Sequence, residues 1–225
     1  MSQKMPGSGD VTRIRAGWLD LLERHRAIAI IRAPSVKLGL AMAKAAVAGG
    51  FGLIEVAWNN NVQPAGMVQV IRHNLPNAVV GVGTVLTDAD LQSAIEAGAA
   101  FGFTPHTDCE LIYLANAYSL PIVVGAMTPT EILTAWRAGA ASVKVFPISA
   151  LGNAQYIRGV LGPLGPIPLV PTGGVTSESA PQLLEAGAVA VGLSTALFPK
   201  SEIAQGDWSA IEARSRYLLA LLDRK

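Results

Sequence analysis

The chain has 225 residues, of which 51% are hydrophobic and 15% charged, and its net charge is +1. That length suits a single α/β-barrel domain, and the balanced charge argues against electrostatic capture of nucleic acid or of an anionic membrane. One cysteine, Cys109, excludes an intramolecular disulfide and suits a reducing cytoplasm.

Residues 1–12 are polar, carry no apolar signal-peptide core, and read as a flexible tail ahead of one domain over 13–225. Arg13–His25 reads as a short N-terminal helix. Apolar runs suited to strands follow at Ala27–Arg32, Leu53–Trp58, Val79–Gly83, Phe101–Thr104, Ile122–Gly125, Ser142–Phe146, Pro168–Pro171 and Ala188–Gly192. Segments of helical character separate them, among them Val36–Val47, Asp88–Ala97, Pro129–Ala138 and Ser177–Ala186. Strands alternating with helices imply βαβ units and a parallel sheet. The mean hydropathy of +0.40 then comes from strands that are apolar on both faces. Asn116, Pro121, Gly125 and Pro129 break the longest uncharged run, so no stretch reads as a membrane span.

A weak repeat supports closure of the sheet. Val47-Ala48-Gly49-Gly50, Glu96-Ala97-Gly98-Ala99, Arg137-Ala138-Gly139-Ala140 and Glu185-Ala186-Gly187-Ala188 each follow a helix and precede a strand. Glycine there suits the left-handed residue that ends a helix. An open doubly wound sheet needs a glycine-rich turn after its first strand, but Ile31-Arg32-Ala33-Pro34 stands there. The expected architecture is therefore a (β/α)₈ TIM barrel with a short N-terminal helix.

Active sites of such barrels lie at the C-terminal ends of the strands. Those ends hold Arg32, Glu55, Thr84, Thr104 with His106, Gly125, Lys144, Thr172-Gly173-Gly174, and Gly192 with Ser194. In Ser142-Val143-Lys144-Val145-Phe146-Pro147, alternation puts the valines on the helix side and Lys144 with Phe146 inside the barrel. Desolvation there lowers the pKa of an amine and supplies the neutral nucleophile that Schiff-base chemistry needs. The same residue also reads as a lysine that snorkels to the barrel mouth or pairs with a carboxylate.

Glu55, a lone charge in Leu53-Ile54-Glu55-Val56-Ala57-Trp58, shares the inward face with Leu53 and Ala57. It reads either as a proton relay beside the lysine or as half of a structural ion pair. The Gly173-Gly174 turn after the seventh strand, with Gly192 and Ser194 after the eighth, suits a phosphate held by backbone N–H groups. No His, Asp, Glu or Cys cluster has metal-ligand spacing, so no metal or cofactor is expected. Cys109 reads as an inert buried thiol. Trp18, Trp136 and Trp208 read as helix packing.

At these residues the chain resembles the KDPG/KHG aldolases. The likeness runs from about Ala27 to Phe198 and is carried by Ile54-Glu55-Val56, Gly81-Val82-Gly83-Thr84, Thr128-Pro129-Thr130-Glu131, Lys144-Val145-Phe146-Pro147 and Pro171-Thr172-Gly173-Gly174. The resemblance implies a homotrimeric, cytoplasmic class I aldolase that cleaves a small keto acid to pyruvate. It implies Lys144 as the Schiff base, Glu55 as general acid and base, and Thr84 at the pyruvyl carboxylate. Phe146 would lie along the carbon chain, with Gly173, Gly174 and Ser194 at a distal phosphate. Many members carry Thr-Leu-Arg where this chain has Ala57-Trp58-Asn59, so a cation is missing, and Arg32 could replace it. The usual Ser-Pro-Gly appears as Thr104-Pro105-His106, and the usual Pro-Gly as Val124-Gly125. Expected substrates are 2-dehydro-3-deoxy-6-phosphogluconate, its phosphogalactonate epimer or 4-hydroxy-2-oxoglutarate. A non-catalytic phosphometabolite-binding barrel is the reading from another class.

Overall fold

The computed structural model describes residues 8–60 and 63–223. Its strands are β1 (Ala27–Ile31), β2 (Leu53–Ala57), β3 (Val79–Gly83), β4 (Gly102–Phe103), β5 (Ile122–Ala126), β6 (Ser142–Val145), β7 (Leu169–Pro171) and β8 (Val191–Leu193). Around them lie α1 (Ser8–His25), α2 (Val36–Ala48), α3 (Pro64–Asn74), α4 (Asp88–Glu96), α5 (Cys109–Ala117), α6 (Pro129–Ala138), α7 (Ala154–Leu164), α8 (Ser179–Glu185), α9 (Lys200–Gln205) and α10 (Trp208–Leu222). All strand pairs are parallel, in the order β7-β6-β5-β4-β3-β2-β1-β8. The seam between β7 and β8 is bridged by Val189 N–H donating to Leu169 C=O at 3.0 Å. This is the expected (β/α)₈ barrel with an N-terminal helix.

The repeat has the anticipated cause. Gly50, Gly98, Gly139 and Gly187 have φ of +107°, +84°, +106° and +106°, a region that costs glycine little and other residues much. Each ends a helix and turns the chain into the next strand. At the other helix ends, Thr87 and Thr128 form reciprocal caps with Asp90 and Glu131, and Asp108 accepts from the N–H groups of Glu110 and Leu111. These caps satisfy donors that open a helix. They also fix where each loop leaves the barrel mouth.

The core has two layers. Ile54 and Val56 of β2 and Val143 and Val145 of β6 pack outward with the helices. Leu53, Ile28, Ile30, Phe101, Phe103, Val123 and Val170 fill the barrel with Trp18 and Leu22 of α1. Trp18 closes the floor. Its ring lies 4.9 Å from Phe101 and 6.2 Å from Phe103, and its Nε1–H donates to Ser142 Oγ at 2.9 Å. A buried aromatic hides about 150–250 Å², which at about 25 cal/mol per Å² contributes roughly 4–6 kcal/mol. α1 therefore belongs to the barrel rather than lying beside it. Arg15 anchors it further, stacking 3.6 Å from the Trp136 ring centre and donating to Ala140 C=O.

Three expectations need adjustment. α1 begins at Ser8, so residues 8–12 are helix rather than tail, and residues 1–7 lie outside the described residues. Cys109 is half-buried at the start of α5 rather than fully buried, because the Asp108 cap sets that first turn at the surface. Trp208 and Trp136 do pack on helices, but Trp18 fills the barrel axis instead.

Candidate active site

The mouth of the barrel holds a cavity of about 220 Å³ lined by Ile30, Arg32, Lys144, Phe146, Thr172, Gly173, Gly174, Val175, Gly192, Ser194 and Thr195. It joins the ends of β1, β6, β7 and β8. Lys144 is 3% exposed and Glu55 0%. Lys144 Nζ stands 4.8 Å from the Phe146 ring centre and 5.7 Å from that of Phe103. The amine therefore points into the barrel between two aromatic faces, as strand alternation required.

Burial pushes the Lys144 amine below its ordinary range; Glu55 opposes this, and Arg32 adds to it. Burial pushes the Glu55 carboxyl upward, against the pull of Lys144 and Arg32. The two directions draw the groups towards each other, the condition for proton exchange near neutral pH. Neither Glu55 oxygen has a hydrogen-bond partner, although both are buried. A native carboxyl left so is unusual, and here it leaves both oxygens available to a substrate or a water. Thr172 Oγ1, at the cavity wall, is in the same condition.

Glycines make the room. β3 presents Gly81 and Gly83 towards the interior. A methyl at Gly83 would overlap the Glu55 carboxyl, and one at Gly81 would overlap the Phe101 ring. A methyl at Gly125, beside Lys144 in the ladder, would strike the Pro105 carbonyl and come within 2.6 Å of the His106 nitrogen. The β4–α5 loop can cross there only because that side chain is absent. Thr104 ties the crossing, donating to His106 C=O at 2.6 Å and accepting from Gly125 N–H at 3.2 Å.

Thr84, the residue after Gly83, has φ of +64°. A threonine held there stores about 1–3 kcal/mol of strain, which such folds keep mainly at ligand sites. Gly173 and Gly174 have φ of +82° and +80°, so the turn after β7 is built from two consecutive left-handed residues. Ser149 N–H donates to Gly173 C=O at 3.2 Å, which fixes the turn against the segment after β6.

The KDPG and KHG aldolase family matches residues 20–214. The chain belongs to that family. It is 32% identical over 76% of its length, and 83% of the relative, to a 2-dehydro-3-deoxy-6-phosphogalactonate aldolase of Escherichia coli K12. It is 31% identical over 80% of its length, and 81% of the relative, to a 2-dehydro-3-deoxy-phosphogluconate aldolase of Pseudomonas aeruginosa. The solved 2-keto-3-deoxy-6-phospho-gluconate aldolase of Zymomonas mobilis ATCC 29191 superposes with a TM-score of 0.82. That pair is 25% identical and covers 90% of this chain and 97% of the other.

Of the residues singled out in the sequence, Arg32, Lys144, Phe146, Gly173, Gly174, Gly192 and Ser194 line one cavity in this member of the family. Glu55 lies wholly buried on the neighbouring inner face, and Thr84 is half-buried at the end of β3. His106 is exposed, with Nε2 3.9 Å from Asp108 Oδ2, and does not line the cavity. Thr195 and Ile30 also line it and were not singled out in the sequence, although Thr195 directly follows Ser194 and Ile30 lies two residues before Arg32. Phe103 was also missed as a neighbour of the lysine. Its spacing of two from Phe101 was the available signal. Among the described residues, no three His, Cys, Asp or Glu side chains gather as a metal site would require, and no helix is long and apolar enough to cross a membrane.

Proposed function

We propose that this single barrel domain is a class I aldolase that reversibly cleaves 2-dehydro-3-deoxy-6-phosphogluconate to pyruvate and glyceraldehyde 3-phosphate. The observation that carries the reading is a buried lysine, lowered by desolvation, sharing the barrel interior with a buried, unpartnered carboxyl. The neutral Lys144 amine attacks the C2 carbonyl to give a carbinolamine, and loss of water leaves an iminium. Glu55 takes the proton of the C4 hydroxyl. The C3–C4 bond then breaks, its electron pair enters the iminium as an enamine, and the aldehyde leaves. Glu55 returns the proton to C3, and hydrolysis frees pyruvate and the amine.

The other roles follow the cavity. Arg32 acts electrostatically on both Lys144 and Glu55, which suits it to the carboxylate one bond from the reacting carbon. Thr84 would donate to that carboxylate. Phe146 covers the chain, and the backbone of Gly173, Gly174 and Gly192 with the Ser194 hydroxyl takes the distal phosphate. The reading includes a homotrimer acting in the cytoplasm on a small keto acid, without nucleic acid or membrane partners. Sedimentation of the purified protein tests the trimer.

The phosphogalactonate epimer is a second reading, favoured by the 32% identical relative. 4-Hydroxy-2-oxoglutarate, with a carboxylate in place of the phosphate, is a third. A pyruvate-release assay over these three substrates decides among them. The highest kcat/KM is expected for a phosphorylated substrate; ligand-dependent stabilisation without any pyruvate release would leave a binding barrel instead.

A further inference from the structure

The Lys144 amine has an aromatic ring on two sides. One of its two aromatic neighbours, Phe146, lines the cavity, where a substrate would lie. The other, Phe103, is fully buried below it and belongs to the interior cluster. Phe103 meets Phe101 edge-on at 5.8 Å and Trp18 edge-on at 6.2 Å, and Trp18 binds Ser142, two residues before Lys144 on β6. A continuous aromatic column thus runs from α1 at the barrel floor up to the amine. Gly81 makes room for it, since a methyl there would overlap the Phe101 ring.

We propose that Phe103, backed by Phe101 and Trp18, is a positioning residue that keeps water from reaching Lys144 from the barrel floor. This rests on Lys144 being the Schiff-base lysine. The ring has two opposing effects. Its face attracts a cation, which favours the charged amine. Its volume excludes water, which favours the neutral one. At 5.7 Å the attraction is near the outer limit of about 6 Å at which such contacts act, whereas full burial can move an amine by about 3–5 pH units. Exclusion of water wins. The charged groups acting on Lys144 are Glu55 of β2 and Arg32 after β1; β3, β4, β5, β7 and β8 carry no titratable side chain.

The test is the rate of pyruvate trapping by cyanoborohydride as a function of pH, in the full chain. In the parent, the reduced adduct on Lys144 establishes the underlying reading; an adduct elsewhere would sink that reading, not this one alone. With Phe103→Ala, water enters the vacated volume, and the pH midpoint for trapping at Lys144 rises by about one unit or more. Phe103→Leu keeps the space filled and the midpoint close to the parent's. A structural role alone would slow trapping equally at every pH, and an unmoved midpoint in Phe103→Ala overturns the proposal. Should that variant fail to fold, Phe103→Val is read in the same way.

Discussion

A methyl group at position 83 is the smallest change that displaces Glu55 without altering it. The added carbon would overlap Glu55 Oε1 and Cδ and come within 2.9 Å of Cγ. Gly83 does not have a positive φ, so alanine's own backbone preference adds no strain, and the effect is the collision. Glu55 is wholly buried, with β1 and β3 paired on either side of its strand. Its carboxyl can yield only by rotating away from the position it now holds. Overpacking of this kind costs about 1–3 kcal/mol of stability. Losing a positioned acid–base group costs about 10²–10⁴-fold in rate, or about 2.7–5.4 kcal/mol on the barrier at about 1.36 kcal/mol per tenfold. Activity should therefore fall further than stability. Pyruvate release gives kcat, and thermal melting gives the stability loss. Gly102→Ala is the control, because its methyl meets the flexible ends of Ile122 at 2.9 Å and Leu120 at 3.6 Å and not Glu55, and its kcat should match the parent's. A Gly83→Ala enzyme within tenfold of the parent would refute the role given to the Glu55 carboxyl.

Lys144→Met should abolish turnover yet raise the melting temperature at neutral pH. The folded-state pKa of Lys144 is lowered from 10.5, so the native protein binds fewer protons there than the unfolded chain, and burial of this amine costs stability below about pH 10.5. The gain should shrink as pH rises towards that value; a lower melting temperature at pH 7 would contradict the assignment. Glu55→Gln should gain stability in the opposite sense. Its folded pKa is raised from 4.5, so the ionised carboxyl costs stability increasingly as pH rises from 4.5 through the folded value, and the benefit of glutamine should grow over that range in melts run from pH 4 to 8. Arg32→Ala should raise KM for pyruvate in the condensation direction and leave KM for the aldehyde near the parent's; the reverse pattern would place Arg32 at the phosphate. Ser194→Ala removes a hydroxyl proposed to bind a charged oxygen, worth about 1.5–3 kcal/mol, so kcat/KM should drop about 10- to 150-fold for phosphorylated substrates and little for 4-hydroxy-2-oxoglutarate.

Lys144 and Glu55 were legible in the sequence because an ionisable residue in an apolar strand is conspicuous, and alternation says which way it faces. The glycines that end the helices were legible for a similar reason, since their conformation is a local demand. What escaped depends on neighbours distant in sequence. The strand expected at Phe101–Thr104 is assigned only at Gly102–Phe103, yet Val82 N–H donates to Phe101 C=O and Thr104 N–H to Val123 C=O, so the extended chain continues past both ends. The strand expected from Ala188 begins at Val191, although Val189 N–H already donates to Leu169 C=O across the seam. The left-handed Thr84 follows from its place after Gly83 at the barrel rim, and nothing in threonine's own preference announces it. Thr195 and Phe103 became site neighbours only when β8 and β4 were set in the closed ring.

Incubation with pyruvate and borohydride, followed by mapping of the modified peptide by mass spectrometry, tests the central claim most directly. The account predicts one reduced pyruvyl adduct per chain, on Lys144, lost in Lys144→Met. An adduct on any other lysine, or none at all in an enzyme that releases pyruvate, would contradict it.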